Sequence, residues 1–199
     1  MCNKNLAFSA KCYLCVFLLL SLKKVFKYLI LVFCLMSFGF QQPSSFDVNS
    51  KIKAAYLYNF TRYFDWPEDK KVGDFIIYVI GKNENLISEL KKLAALKKVG
   101  NQDIEIKNSM SYDPGIHSNM IYFSPAQDVK SVSEASAKNK RKGTLVVAET
   151  PGALGSGGAS INFLIIENKL KFDYSKSAAV KAGLTTNEDF KAQANKTTD

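Results

Sequence analysis

Cysteine, histidine and tryptophan are scarce in this chain of 199 residues, and cysteine is confined to one end of it. All four cysteines lie between Cys2 and Cys34, and His117 is the only histidine. If the N-terminal segment is removed from the working protein, no disulfide framework, thiol nucleophile or thiolate metal site remains. One histidine without cysteine also argues against a zinc site.

Arginine is nearly absent too, since only Arg62 and Arg141 accompany the lysines. The guanidinium fork is the group that recognises phosphate bidentately, and the lysines are scattered instead of forming a stripe. Much of the basic excess belongs to residues 1–39, which hold five lysines and no acid, so the net charge falls from +9 to about +4 without them. We therefore expect no nucleic-acid partner.

Long hydrophobic runs are missing as well. Cys12–Leu22 and Tyr28–Met36 are apolar, but neither approaches the roughly 20 residues that span a bilayer. The second run follows lysines and precedes the small-x-small sequence Ser37-Phe38-Gly39, which predicts a secretory signal peptide cleaved after Gly39. Translation starting near Leu22 would explain the surplus first run.

Export to the periplasm follows from that prediction, with residues 1–39 as the signal region, 40–49 as a flexible lead-in and 50–195 as one domain. An uncleaved signal anchor is the alternative. A lipoprotein is disfavoured because bulky Phe33 precedes Cys34, where a small residue is needed.

What the chain does have is a dense aromatic stretch, Lys53–Pro67 (KAAYLYNFTRYFDWP), which includes the only tryptophan. Its spacing predicts a helix capped by Asn49 or Ser50 and ended near Phe64, because Pro67 forces Trp66 out of helical geometry. The predicted buried face consists of Ile52, Ala55, Tyr56, Asn59, Phe60 and Tyr63. A short aromatic helix must pack on something larger, which we expect to be the domain's own sheet. The alternative for Trp66 is a place on a partner surface.

The remainder alternates apolar strands with amphipathic helices and closes with a hairpin at Glu167-Asn168. We predict strands over 74–81, 97–108, 119–124, 144–150, 159–166 and 169–174, and helices over 85–96, 129–140, 175–182 and 187–194. The pattern favours a single layered α/β domain, with a mostly parallel sheet flanked by helices and a C-terminal antiparallel β-hairpin.

Catalytic motifs are not evident. His117 and Ser118 are adjacent in sequence, but a triad needs a base and an orienting acid that meet in space, so we expect His117 to bond local backbone. The glycines of 152–158 precede a strand, whereas a phosphate loop precedes a helix. We expect no enzymatic activity, cofactor or metal.

Three segments together resemble the YfiR-type family of bacterial periplasmic regulators. They are KAAYLYNFTRYFDWP, then Gly115–Phe123 (GIHSNMIYF), and last Gly157–Phe163 (GGASINF) with Lys169–Phe172 and Ala178–Leu184. They span about Lys51 to Phe190 in the family's order. The family commonly has a cysteine where this chain has Ile116, so the disulfides and redox sensing of some members are not expected here.

The resemblance implies a non-enzymatic protein that binds the periplasmic sensor domain of an inner-membrane signalling protein and holds it inactive. The target would be a diguanylate cyclase, whose release raises cyclic di-GMP, or a membrane histidine kinase. Self-association is a further expectation. The candidate partner-binding residues are Tyr58, Trp66, Pro67, Asn162, Phe163 and Phe172. For Phe163 and Phe172, burial in the hydrophobic core is the alternative.

Two other functions stay open. The first is a periplasmic small-ligand-binding module, with its crevice at the carboxyl ends of the strands. The second is a hydrolase, which would need carboxylates converging in a cleft.

Overall fold

The computed structural model describes residues 48–199 of the chain. The predicted signal region, its cleavage site, Leu22 and nearly all of the lead-in lie outside the described residues. Within them, no helix has the length and apolarity needed to cross a membrane.

Helices and strands alternate along the described residues. In chain order they are α1 (Val48–Tyr63), β1 (Phe64–Asp65), β2 (Phe75–Ile80), α2 (Glu84–Ala94), β3 (Ile104–Ser109), β4 (Met120–Phe123), α3 (Val129–Lys138), β5 (Leu145–Ala148), β6 (Ile161–Ile166), β7 (Lys169–Ser175), α4 (Lys176–Ala182), β8 (Thr185–Thr186), α5 (Glu188–Gln193) and β9 (Lys196–Thr198).

Seven of these strands form one sheet in the order β3-β2-β4-β5-β6-β7-β9. The neighbours from β3 to β6 run parallel, and β6 and β7 form an antiparallel hairpin. Glu167 and Asn168 both have positive φ, the backbone that a two-residue hairpin turn requires. The predicted α/β class, with its mostly parallel sheet and C-terminal hairpin, is confirmed.

The sheet has two unlike faces. One, the aromatic face, is covered by α1, α2 and α5 and contains Phe60, Phe163, Phe172 and Phe190. The other, the small-residue face, lies under α3 and the loop before β6, with alanine and valine beside Tyr78 and Phe123. Because β2, β4 and β5 are covered on both faces, they read as continuous apolar runs.

Helix α1 differs from its prediction at its start and in its buried face. It begins at Val48, so Asn49 and Ser50 lie inside the helix and do not cap it. The buried face contains Ser50, Lys53, Ala54, Leu57, Phe60, Thr61 and, just beyond the helix, Phe64. Of the predicted face only Phe60 is buried, whereas Ile52, Ala55 and Asn59 are exposed. The predicted face was wrong because it was drawn through Tyr56 and Tyr63. Tyrosine hydroxyls favour the margin of a core, and Leu57 lies at the centre of this one.

Other boundaries moved for local reasons. The strand predicted from 97 begins only at Ile104, because Val99 and Gln102 pair with each other in a tight turn. Gly143 has a positive φ and lies in the turn after α3, whose last residue Lys138 is followed by Asn139 as the cap. Gly183 caps α4 in the left-handed conformation.

Candidate partner-binding surface

The turn Trp66–Lys71 lies at the amino edge of the sheet, the end where the parallel strands begin. It follows β1, which pairs antiparallel with β8. The Trp66 indole N–H donates to the carbonyl of Asn119, 3.3 Å away, immediately before β4. The Trp66 ring meets Phe75 edge-on, with centroids 5.1 Å apart. Trp66 therefore anchors the turn and is only 5% exposed.

A second segment, Ser118-Asn119, is tied to the same turn by hydrogen bonds in both directions. The Lys70 ammonium donates to the Ser118 carbonyl at 2.9 Å, and the Asn119 amide donates to the Lys70 carbonyl at 2.9 Å. The Asn119 side-chain oxygen accepts from the N–H of Ile76 at 3.0 Å. Asn119 thus fixes both the turn and the start of β2.

A third segment, Arg141–Gly143, packs against the turn Trp66–Lys71 from the other side. The Gly143 N–H donates to the carbonyl of Ala182, at the end of α4, at 2.8 Å. A Cβ added to Gly143 would lie 2.5 Å from Cγ of Pro67, and its φ of +61° already disfavours a side chain. Only glycine lets the chain pass this close to Pro67. The amino-edge corner, as we call it, comprises Trp66–Lys71, His117–Asn119, Arg141–Gly143 and Lys181–Gly183.

Two clefts flank the turn. The basic cleft, with a volume of about 410 Å³, contains Lys70, His117, Arg141 and Lys142, together with the acids Asp69 and Asp74. Burial lowers the pKa of the Lys70 ammonium from its usual value; nearby Asp69 opposes this effect and Lys142 adds to it. Lys70 is thus partly held out of water, while Arg141 and Lys142 are exposed and can meet a partner.

The aromatic cleft, on the other side of the turn, has a volume of about 320 Å³. Phe64, Trp66 and Phe75 form its apolar wall, and Lys71 and Gln102 contribute polar groups. The Gln102 amide donates to the carbonyls of Lys70 and Gly73 at 3.0 and 3.1 Å, which holds the rim in place. An apolar pocket with a few fixed polar groups is the usual form of a recognition site.

The six residues predicted to contact a partner are not brought to one surface. Trp66 and half-buried Pro67 lie at the amino-edge corner, whereas Asn162 pairs with Ala148 at the opposite end of β5. Tyr58 is half-buried on α1, and its hydroxyl donates to the Lys98 carbonyl at 3.4 Å. The Asn162 side chain accepts from the N–H of Thr150 at 3.0 Å.

Phe163 and Phe172 lie in the core of the aromatic face, at 2% and 1% exposure. Phe172 meets Phe60 edge-on with centroids 5.2 Å apart, and Phe163 stacks on Phe60 at 5.9 Å. Both side chains are therefore buried in the core, which was the alternative to contact with a partner. A partner-contacting role for the six residues stays a prediction.

His117 is exposed at the rim of the basic cleft. Within the part of the chain that the structure describes, its ring makes no hydrogen bond, so the expected bond to local backbone is not seen. Among the same residues, no three His, Cys, Asp or Glu side chains are grouped as a metal site would require.

The small-ligand alternative places its crevice at the carboxyl edge. The strand order reverses between β2 and β4, the point where open α/β sheets usually bind ligands. There Gly81 lies against the side chains of Ser124 and Gln127, and a Cβ on it would meet the Gln127 amide nitrogen at 2.8 Å. The space directly beside Gly81 is therefore filled by these side chains.

One buried polar group was missed by sequence reasoning. The Lys53 ammonium lies 2.7 and 2.8 Å from the two carboxylate oxygens of Glu149, and the Tyr122 hydroxyl donates to the same carboxylate at 2.7 Å. Lys53 and Glu149 are 96 positions apart, and nothing local links them. The only signal was a lysine at a core position of an apolar helix.

Comparison with known proteins identifies one family. The protein-family model described as YfiR/HmsC-like matches residues 50–190 of this chain. No curated protein matches the chain.

Proposed function

Since the chain belongs to the YfiR/HmsC-like family, we propose that it binds the periplasmic sensor domain of an inner-membrane signalling protein and restrains it. The family is periplasmic, regulatory and non-catalytic, and membership suggests a role in cyclic di-GMP signalling. The target is a diguanylate cyclase or a histidine kinase. Restraint needs only that the regulator bind the inactive state of its target more tightly than the active state.

One observation supports placing the contact at the amino-edge corner. Segments from all three family-like motifs meet there: Trp66-Pro67 from the first, His117–Asn119 from the second and Lys181–Gly183 from the third. The Trp66–Asn119 hydrogen bond joins the first two, and the third accepts hydrogen bonds from Arg141 and Gly143, of which Gly143 lies against Pro67. The corner also carries the two clefts, which offer an apolar pocket and exposed cations side by side.

The pairing of apolar and charged groups suits a sensor-domain surface with an apolar anchor beside carboxylates. Buried apolar anchors supply most of the affinity of an interface, and charged groups at its rim set specificity and association rate. Trp66 contributes as a wall of the aromatic cleft and Pro67 as its half-exposed neighbour. Tyr58, Asn162, Phe163 and Phe172 lie outside the corner and support the fold beneath it.

The test begins with capture of membrane proteins by the purified protein and ends with a measured affinity. A captured signalling protein is identified by mass spectrometry, its periplasmic domain is purified, and the dissociation constant is measured by calorimetry. We expect the charge reversals Arg141→Glu and Lys142→Glu together to weaken binding at least about tenfold.

The matched control is Lys130→Glu with Lys138→Glu, which makes the same charge change on exposed positions of α3 and should leave the affinity unchanged. Equal losses in both double variants would place the contact elsewhere. No signalling protein with a periplasmic domain among the captured proteins would reject the regulator proposal. Light scattering on the same samples tests self-association.

A small-ligand-binding module is the second candidate. It is supported by a cavity between α3, α4 and the glycine loop Pro151–Gly158.

A further inference from the structure

A cavity of about 350 Å³ lies on the small-residue face, between α3, α4 and the glycine loop Pro151–Gly158. Thr144 and Val146 of the β5 region and Ser160 before β6 form its inner wall. Its volume equals that of about 12 water molecules and falls at the lower end of the range for small-molecule sites. The cavity can hold a compact metabolite.

The side of α3 that faces the cavity is polar. Ser133, Ser136 and Ala137 line it at the i, i+3, i+4 spacing of one helical face, and Lys140 lines it from the turn after the helix. Val132 and Ala135, on another side of the same helix, are fully buried against the sheet. The helix therefore supplies hydroxyl groups to a half-open space that apolar side chains could have filled.

The hydroxyl groups of the cavity are not all satisfied. Thr144 donates to the Ser118 carbonyl at 2.8 Å, and Ser175 accepts from the N–H of Ala178 at 3.3 Å. The Ser136 hydroxyl oxygen is buried and has no hydrogen-bond partner among the described residues. Ser160, which is 1% exposed, also lines the cavity. The wall of the cavity therefore includes a hydroxyl group whose hydrogen-bonding capacity is unused.

The charge of the lining has a single sign. Lys140, in the turn after α3, and Lys181, near the end of α4, both line the cavity, and among the described residues no aspartate or glutamate does. This differs from the basic cleft, where two aspartates stand among the cations. Ammonium and hydroxyl groups without a competing carboxylate are suited to an oxyanion.

We propose that this cavity binds a small phosphorylated molecule, with Lys140 and Lys181 holding the phosphate and Ser133 donating a hydrogen bond to it. The cavity shares Lys181 and Ala182 with the amino-edge corner, but its other lining residues lie outside that corner. Because probe binding is measured on the purified protein alone, the site is tested separately from the partner contact.

The first experiment compares three probes by calorimetry on the purified protein: inorganic phosphate, glucose 6-phosphate and glucose. The two phosphate-bearing probes should bind and raise the melting temperature with concentration, while glucose should do neither. Binding of glucose as tight as that of glucose 6-phosphate would overturn the oxyanion assignment. No binding of either phosphate-bearing probe would overturn the site.

The second experiment locates the binding. Lys140→Ala with Lys181→Ala removes two charge-assisted contacts worth about tenfold each, so glucose 6-phosphate should bind about 100-fold more weakly. Lys138→Ala with Lys176→Ala makes the same charge change on the same two helices outside the cavity and should bind normally. Equal effects of the two pairs would show an adventitious ion only.

A third variant tests the volume instead of the charge. Ala137→Leu places three more carbons in the cavity at a helical position that tolerates leucine. Binding of glucose 6-phosphate should be lost while the circular dichroism spectrum is unchanged. Unaltered binding in this variant would exclude the cavity as the site.

Discussion

The two faces of the sheet are built on different principles. The aromatic face has interlocking rings: Phe190 alone lies within 5.7 Å of the ring centroids of Phe60, Tyr63, Phe64, Phe172 and Tyr174. The small-residue face has one ring pair, Tyr112 with Phe123 at 6.4 Å, and an open cavity beside it. We infer that stability is concentrated on the first face, which leaves the second free to keep unfilled volume.

The largest expected effect is at the centre of the aromatic face. Phe60 is 1% exposed, and Phe60→Ala should lower the free energy of unfolding by about 4 kcal/mol, measured by urea denaturation. The matched pair Phe60→Leu and Phe123→Leu keeps side-chain bulk but removes the ring. Phe60→Leu should cost about 1 kcal/mol more, because Phe60 has four ring neighbours on this face. Equal costs would remove the distinction between the faces.

The ion pair that attaches α1 to the sheet should rank next. Lys53→Met leaves the Glu149 carboxylate buried with only the Tyr122 hydroxyl, and we expect a loss of about 3 kcal/mol by the same measurement. Lys53→Met combined with Glu149→Gln should recover much of that loss, because no unpaired charge remains. A loss below about 1 kcal/mol for Lys53→Met would mean that water screens the pair as it does at a surface.

The aromatic face should also make stability sensitive to alkali. Burial raises the pKa of Tyr174 to about 12, and the charge of Glu188 acts in the same direction. The unfolded chain releases this proton near pH 10, so the stabilisation is complete below pH 10 and is lost as the pH rises toward 12. The loss should be about 2 kcal/mol. Tyr174→Phe should show a flatter profile over this interval, and identical profiles would contradict the assignment.

The smallest effect is expected on the other face. Ser136→Ala removes a buried hydroxyl that has no partner, so the free energy of unfolding should stay constant or rise by up to about 1 kcal/mol. Thr144→Val, in the wall of the same cavity, removes a hydroxyl bonded to the Ser118 carbonyl and should cost about 1 kcal/mol. A destabilising Ser136→Ala would show that this hydroxyl has an unseen partner.

Local signals predicted most of the fold. The apolar runs of β2, β4 and β5, the hairpin turn at Glu167-Asn168 and the left-handed Gly183 are each encoded by a few adjacent residues. The two-residue strands β1 and β8 and the three-residue β9 are too short to carry a periodic pattern. They form because residues far apart in sequence are brought together.

The candidate site was less accessible to sequence reasoning. Trp66 could be singled out from the sequence because Pro67 ends the helix beside it. Its hydrogen bond to Asn119 could not be predicted, because the two residues are 53 positions apart. The basic cleft and the cavity each combine residues from several elements, so neither has a sequence pattern. The turn Arg141–Gly143 packs on Pro67, a residue more than 70 positions away, so its role in the corner has no local sequence signal.

The two ends of the large sheet have a consequence for how copies of the protein can meet. Strand β3 ends the sheet on one side, and β9 covers β7 only over Asp173–Ser175 on the other. Charged side chains stand on both exposed stretches, Glu105 and Lys107 on β3 and Lys169 and Lys171 on β7. Joining two β7 edges would bring lysines together, and joining any of these edges would strip charged side chains of water. The charged edges therefore disfavour open-ended strand addition.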